Sequence, residues 1–408
     1  VYGIAGICWK LIQLIVETIY LEQTVHQDFM IDNDNYFFIN SIGIVSHNDC
    51  TFEEGITLES GKKLAPLKIR YETYGVLNSK RDNAILILHA FSGDAHAAGY
   101  TTKSDKYPGW WDMMIGPNKA FDTNRYYVIC SNVIGGCSGS SGPATINPAT
   151  GKPYGITFPV ITIKDMVKAQ ELLLDYLGID KLLAVSGGSM GGMQALKWAA
   201  ISPERVTSAM IMASTPRLSP QGIAFNAVGR NAITSDPDWM EGQYYEFQRI
   251  PRKGLSIARM IGHITYLSDE SMGMKFGRKL RNRDTYGYDF EDLFQVESYL
   301  QYQGEKFVKK FDANSYIYLT KAMDYFSLGE SSKDFTLAFF RSPVRFLFVT
   351  YSSDWLYPTN QTKEFVYALM DGGVDVSFIE IESPFGHDSF LLESQKQTQL
   401  IKAFLESL

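Results

Sequence analysis

The chain has 408 residues, of which 45% are hydrophobic and 20% charged, and its formal net charge is −7. This is ordinary globular composition, long enough for one large domain with an insertion or for two domains, and the acidic balance argues against a nucleic-acid partner. The cysteines Cys8, Cys50, Cys130 and Cys137 form no C-x-x-C pair, which argues against a disulfide framework or a metal site and for a reducing, cytoplasmic setting.

Residues 1–21 are apolar-rich, but Lys10, Gln13 and Glu17 interrupt them, which is costly for a membrane-spanning helix. No basic region precedes the stretch and no clear small-residue cleavage site follows it. Met30 is the first methionine, so residues 1–29 read as an upstream extension outside the working protein. An amphipathic helix lying on a surface or a partner is the other reading. Residues 1–49 are set apart as an N-terminal extension.

From Cys50 to Val76 two strand-like pieces are joined by a turn at Ser60–Gly61, and Leu67–Gly75 is rich in β-branched and aromatic residues. Asn83–Leu88 is a short apolar run of buried-strand type, ending at His89-Ala90-Phe91-Ser92-Gly93-Asp94. His89 reads as a structural histidine satisfied by backbone. Arg125–Val133 is another strand, followed by the glycine- and serine-rich loop Gly135–Pro143. Such a loop either wraps a ligand or forms a surface turn. Cys137 within it is not expected to act as a nucleophile.

Ile163–Leu177 carries apolar residues at helical period, with Asp165 placed to complement the helix dipole. Leu182–Val185 then predicts a strand. Gly187-Gly188-Ser189-Met190-Gly191 follows, a G-x-S-x-G pattern, and Gln194–Ala200 continues with helix formers. Strand, tight glycine turn and helix are the context of a nucleophile elbow: a serine at strained backbone angles, facing the free N–H groups of a helix N-terminus. Val206–Ala213 reads as the next strand. The alternation from Asn83 to Ala213 predicts a parallel, doubly wound sheet.

From Thr215 to Phe340 helical periods replace this alternation, as in Ser256–Tyr266 and Phe294–Phe311. An aromatic-rich helical block between sheet strands predicts an inserted cap over a site, with His263 as a packing residue. The sheet resumes at Val344–Val349, which leads to Asp354. A last strand, Val376–Ile381, leads to His387 and Asp388, and Leu391–Leu408 predicts a closing helix. The expected organisation is a catalytic domain of residues 50–214 and 341–408, interrupted by a helical lid of residues 215–340.

Ser189, Asp354 and His387 each follow the carboxyl end of a predicted strand, where loops converge in an open α/β sheet. Their order is that of an α/β hydrolase. His387 can take the serine proton near neutral pH, and Asp354 can hold its tautomer. The backbone N–H groups of Phe91 and Met190 fall where such enzymes hold an oxyanion.

The segments SGGSMGGM, HAFSGDAH, GWWDMMIGP, SNVIGGCSGSSGPATINPATGKPYG and GHDSFLL together resemble the homoserine O-acetyltransferases of the α/β-hydrolase type, from about Thr57 to the C-terminus. The resemblance implies a mostly parallel central sheet with helices on both faces and an inserted helical lid. It implies acetyl transfer from acetyl-CoA to the hydroxyl of L-homoserine by a ping-pong route in methionine biosynthesis, no bound cofactor, and a homodimer. It places a substrate arginine at Arg230, in the pattern from Phe225-Asn226, and a substrate aspartate at Asp388. Those two charges suit a zwitterionic amino acid. Ser138 stands where a lysine is usual, and Phe91 where leucine is more common. A succinyl donor, a serine acceptor and simple hydrolysis of an ester or thioester all use the same triad and stay open.

Overall fold

The computed structural model describes residues 47–102, 106–290 and 294–408. The expectation for residues 1–29 falls outside these. Eight strands form one sheet: β1 Asn48–Phe52, β2 Leu67–Tyr74, β3 Ala84–Leu88, β4 Tyr127–Ser131, β5 Leu182–Gly188, β6 Val206–Met212, β7 Arg345–Tyr351 and β8 Val376–Ile381. Their order across the sheet is β1-β2-β4-β3-β5-β6-β7-β8. β1 and β2 run antiparallel to their neighbours, and every pairing from β4 to β8 is parallel. The expected boundary between Asp49 and Cys50 lies inside β1. Asp49 is tied there to Arg70 and Lys68 of β2 at 2.7 and 2.6 Å.

The short apolar runs become strands because both faces of the sheet are covered. In β3, Ala84, Leu86 and Leu88 belong to one apolar cluster and Ile85 and Ile87 to the other. This two-residue alternation, apolar on both sides, is the signature of a parallel sheet packed between helical layers.

One layer is built by α1 Ile163–Tyr176, α2 Met190–Ile201 and α9 Thr359–Asp371, whose buried apolar residues share one cluster. α1 starts at a reciprocal cap: the Asp165 N–H donates to the Thr162 hydroxyl at 3.3 Å, and the Thr162 N–H donates to Asp165 at 3.0 Å. It stops at Gly178, where φ is +67° and the Ile179 N–H turns back to the Leu174 carbonyl at 2.9 Å. On the opposite face Trp111 and Phe121 pack with Phe404 of α11, Ser394–Glu406.

Between β6 and β7 the described residues form α3 Pro220–Thr234, α4 Arg252–Tyr266, α5 Asp269–Lys275, α6 Gln295–Val308, α7 Ala313–Asp324 and α8 Ser332–Ala338. Local chemistry starts several of them. The hydroxyl of Ser219 caps α3 ahead of Pro220, Ser268 caps α5, and Asp312 caps α7. The last short helix of the sheet domain is α10, Ser389–Leu392, just after His387.

Candidate active site

β5 runs on to Gly188, further than its apolar residues predict. Gly187 pairs with Leu88 of β3 and Ile211 of β6, and Gly188 with Met212. The glycines are there because neighbouring backbone leaves no room. A Cβ at Gly187 would lie 2.5 Å from the carbonyl carbon of Gly191, and one at Gly191 would lie 2.0 Å from the Leu88 carbonyl oxygen. Between them Ser189 sits at φ 58°, ψ −123°. Such a conformation costs on the order of 1–3 kcal/mol and persists only where the surroundings impose it. Here the Ser189 N–H donates to the Met212 carbonyl at 3.0 Å, and the Ser214 hydroxyl donates to the Ser189 carbonyl at 2.8 Å.

Ser189, His387 and Asp354 lie in one hydrogen-bonded line. His387 Nδ1 is 2.8 Å from Asp354 Oδ2, and His387 Nε2 is 2.8 Å from Ser189 Oγ. With the proton on Nδ1, as the carboxylate requires, Nε2 is left to accept from the serine hydroxyl. Asp354 Oδ1 in turn accepts the N–H groups of Leu356 and Tyr357, each at 3.0 Å. The loops carrying Asp354 and His387 are joined: the Gly386 N–H donates to the Ser353 hydroxyl at 2.9 Å. All three side chains are buried. Burial pushes the His387 pKa down, but the charge and hydrogen bond of Asp354, with a smaller contribution from Asp388, outweigh it. The imidazole is held above its ordinary value.

Among the described residues no acceptor takes the backbone N–H of Phe91 or of Met190. The loop holding Phe91 is fixed by His89, whose Nε2 accepts the Val133 N–H at 3.0 Å while Nδ1 faces the Ala90 carbonyl at 2.8 Å. Both ring nitrogens of this buried histidine are thus occupied by backbone.

Ser189 opens into a cavity whose other walls come from the helices between β6 and β7 and from the loops after β3 and β7. Phe225 and Asn226 of α3, Tyr266 of α4, Tyr316 and Thr320 of α7, and Tyr357 line it. The F-N-x-x-x-R spacing puts Asn226 and Arg230 one turn apart on α3. Both reach Asp324 of α7: Asn226 Nδ2 to Oδ1 at 2.9 Å, and Arg230 Nη2 to Oδ2 at 2.7 Å. Arg230 Nη1 is buried with no hydrogen-bond partner. Asp388 follows His387 directly. Burial raises its pKa, while His387, Arg259 and Lys275 pull it back.

Cys137 lies apart from this line. Its Sγ faces the Lys310 carbonyl at 3.9 Å, and burial pushes its thiol up to about 12. The surrounding loop is pinned to β2 by the N–H groups of Lys68 and Arg70, each donating at 2.9 Å, to Ser141 and Ser140 respectively. His263 meets the Tyr299 hydroxyl at 3.2 Å, and burial with the nearby Arg259, Lys275 and Lys306 lowers its pKa to about 3.

Sequence reasoning missed Asp324, Tyr266, Tyr316 and Tyr357. The signal for α7 was present: Tyr316, Thr320 and Met323 recur at helical spacing and share the cavity wall. Tyr357 had no such signal, since it follows Asp354 in an irregular loop.

The strand order, the strained serine between β5 and α2, and the Ser–His–Asp line at three strand ends define an α/β hydrolase. A family model described as alpha/beta hydrolase fold matches residues 83–393. The chain is 56% identical over 373 residues to the homoserine O-acetyltransferase of Leptospira biflexa, covering 91% of this chain and 97% of that protein. It is 53% identical over 371 residues to that of Deferribacter desulfuricans, covering 90% and 97%. Among solved structures, homoserine O-acetyltransferase from Bacillus anthracis matches with a TM-score of 0.82 at 30% identity, over 89% of this chain and 98% of that one. Esterase E22 matches with a TM-score of 0.81 at 31% identity, over 89% and 100%. The chain belongs to the homoserine O-acetyltransferase family and is an acyltransferase.

Proposed function

We propose that the chain moves an acetyl group from acetyl-CoA to the hydroxyl of L-homoserine, with Ser189 carrying it between the two, as a step of methionine biosynthesis. The relatives' names supply donor and acceptor. The observation that carries the chemistry is the buried 2.8 Å and 2.8 Å line from Ser189 through His387 to Asp354, opening into a cavity walled by helices.

As Ser189 Oγ bonds to the thioester carbonyl carbon, its proton passes to His387 Nε2. The carbonyl oxygen becomes an oxyanion, held by the N–H groups of Phe91 and Met190. The C–S bond then breaks and the CoA sulfur leaves with the proton from His387. In the second half the homoserine hydroxyl gives its proton to His387 and attacks the acyl-serine carbon. Ser189 leaves and recovers a proton. The acceptor carboxylate is assigned to Arg230, whose Nη1 is unpartnered, and its ammonium to Asp388.

Residues 215–340 serve as a lid that keeps water from the acyl-enzyme, while residues 50–214 and 341–408 carry the chemistry. No bound cofactor is required. A homodimer is consistent with the apolar side chains left exposed on adjacent lid helices, Ile257 and Ile264 of α4 and Tyr302 of α6. A cytoplasmic setting agrees with the free thiols Cys50, Cys130 and Cys137. Among the described residues no helix is long and apolar enough to cross a membrane.

The likeness to esterase E22 favours hydrolysis as the second reading. A product assay by mass spectrometry, with mixed acyl-CoAs and mixed amino acids in water, separates the readings. O-acetylhomoserine as the dominant product supports acetyl transfer to homoserine. Free acetate at the same rate with and without homoserine supports the esterase reading, and a succinyl or seryl product reassigns donor or acceptor.

A further inference from the structure

A chain of polar side chains runs through the core between α1, α2 and the loop after β3. Trp198, Gln170 and Gln194 are 0%, 2% and 0% exposed. Trp198 Nε1 donates to Gln170 Oε1 at 2.8 Å, and Gln170 Nε2 donates to Gln194 Oε1 at 2.7 Å. Gln194 Nε2 then donates to two backbone carbonyls, that of His89 at 3.2 Å and that of Met190 at 3.4 Å. The polarity of this relay is fixed from both ends. An indole N–H can only donate and a carbonyl can only accept, so neither amide can flip without leaving a buried group unpaired.

Trp198, at the head of the relay, belongs to a buried apolar cluster that also holds Met166, Val167 and Met193. A leucine or methionine would fill the space without desolvating an amide, so volume alone does not explain two glutamines here. The end of the relay does. One carbonyl belongs to Met190, and the other to His89, two residues before Phe91. These are the two segments whose free N–H groups are proposed to hold the oxyanion.

We infer that Gln194 is a positioning residue that sets the separation of the Phe91 and Met190 N–H groups, with Gln170 and Trp198 fixing its orientation. This rests on the seryl-transfer reading above. The loop is also tied by the Val133 N–H to His89, just past β4, and further along by Trp110 Nε1 to the Asp94 carbonyl at 3.0 Å. Gln194 supplies the side-chain link from that loop to the helix bearing Met190. It touches no reacting atom. Its effect is on the geometry in which a developing negative charge is met by two donors at once.

The test compares Gln194→Met, Gln170→Met and Trp198→Phe in the full chain. Each is assayed with p-nitrophenyl acetate for the burst of Ser189 acylation and with 1,1,1-trifluoroacetone, which forms a hemiketal oxyanion on the serine. Gln194→Met should lower the acylation rate roughly ten- to a hundredfold and weaken the trifluoroketone in parallel. KM should stay within about twofold. The loss of rate should fall in the order Gln194, Gln170, Trp198, by distance along the relay from the oxyanion segments.

A purely structural role predicts a different pattern: melting temperatures fall while rate and trifluoroketone affinity hold in the folded protein. That result, or a rate loss with unchanged trifluoroketone affinity, overturns the inference. If Gln194→Met does not fold, the other two variants decide: a larger rate loss for Trp198→Phe than for Gln170→Met overturns it. A normal serine burst in the unmodified enzyme shows that such a failure belongs to the relay alone. Absence of that burst points to the seryl-transfer reading instead.

Discussion

On the sheet side of the site, Ser189, Asp354 and His387 sit in the turns after β5, β7 and β8. Backbone holds them: Gly187 and Gly191 against neighbouring carbonyl groups, the Ser189 N–H on Met212, and Asp354 capped by two N–H groups. On the helical side, Asn226, Arg230 and Asp324 are held by one another across α3 and α7, through side-chain contacts at 2.9 and 2.7 Å. On the proposed mechanism the first arrangement fixes where bonds are made and broken. The second leaves a buried arginine nitrogen without a hydrogen-bond partner, one helical turn from Asn226 in the cavity wall. On the proposed mechanism, chemistry common to many substrates is built from backbone, and choice of substrate from side chains on the inserted helices.

That division can be broken by experiment, beginning where the largest effect is expected. Ser189→Ala should lower turnover by several orders of magnitude while leaving the melting temperature close to that of the unmodified chain. Asp354→Asn should cost about 10³- to 10⁴-fold and also move the pH profile. His387 must be neutral to accept a proton, and its pKa is raised mainly by Asp354 against the effect of burial. Activity should therefore fall as pH drops through a value raised above that of an ordinary histidine, and Asp354→Asn should shift that acidic limb to lower pH. An unshifted limb in the variant would mean that another group controls it.

Arg230→Ala tests the helical side. Losing a charge-assisted contact in a water-poor site costs on the order of 2–4 kcal/mol, roughly thirtyfold to a thousandfold in efficiency toward homoserine. The first half-reaction does not need the acceptor, so the single-turnover release of CoA, followed with a thiol reagent, should be unchanged. Asp388→Ala should behave alike, with some loss in the first step because Asp388 adjoins His387. If Arg230→Ala slows the burst as much as steady-state turnover, Arg230 supports the fold or the donor, and the division between the two sides fails.

The smallest effect belongs to Phe91→Leu. The ring lies tilted against Phe311 and edge-to-face with Tyr316, at 5.4 and 5.1 Å between centroids. The proposed role is carried by its backbone N–H, so acylation should change by less than about threefold. A larger loss would show that the side chain itself shapes the site.

The sheet side was legible in the sequence for the same reason that it is rigid. A strained serine between strand and helix demands glycine at fixed spacing, and buried parallel strands demand unbroken apolar runs, so both constraints are written locally. The end of β5 was misplaced because its glycines, which mark the turn, also belong to the strand. The helical side was legible only in part. Arg230 and Asn226 fall on one helix face by spacing, but their partner Asp324 lies 94 residues beyond Arg230 and is brought there by the fold. The Gln170–Gln194–Trp198 relay left no local trace either, since each residue is an ordinary helix member until α1 and α2 are packed together.

The account turns on Ser189 carrying the acyl group. The most direct measurement is intact-mass spectrometry of rapidly quenched enzyme mixed with acetyl-CoA in the absence of acceptor. A single acetyl adduct located on Ser189, formed as fast as CoA is released and discharged when homoserine is added, is the predicted result. Normal turnover with no adduct at any quench time, or an adduct on another residue that is kinetically competent, would contradict it.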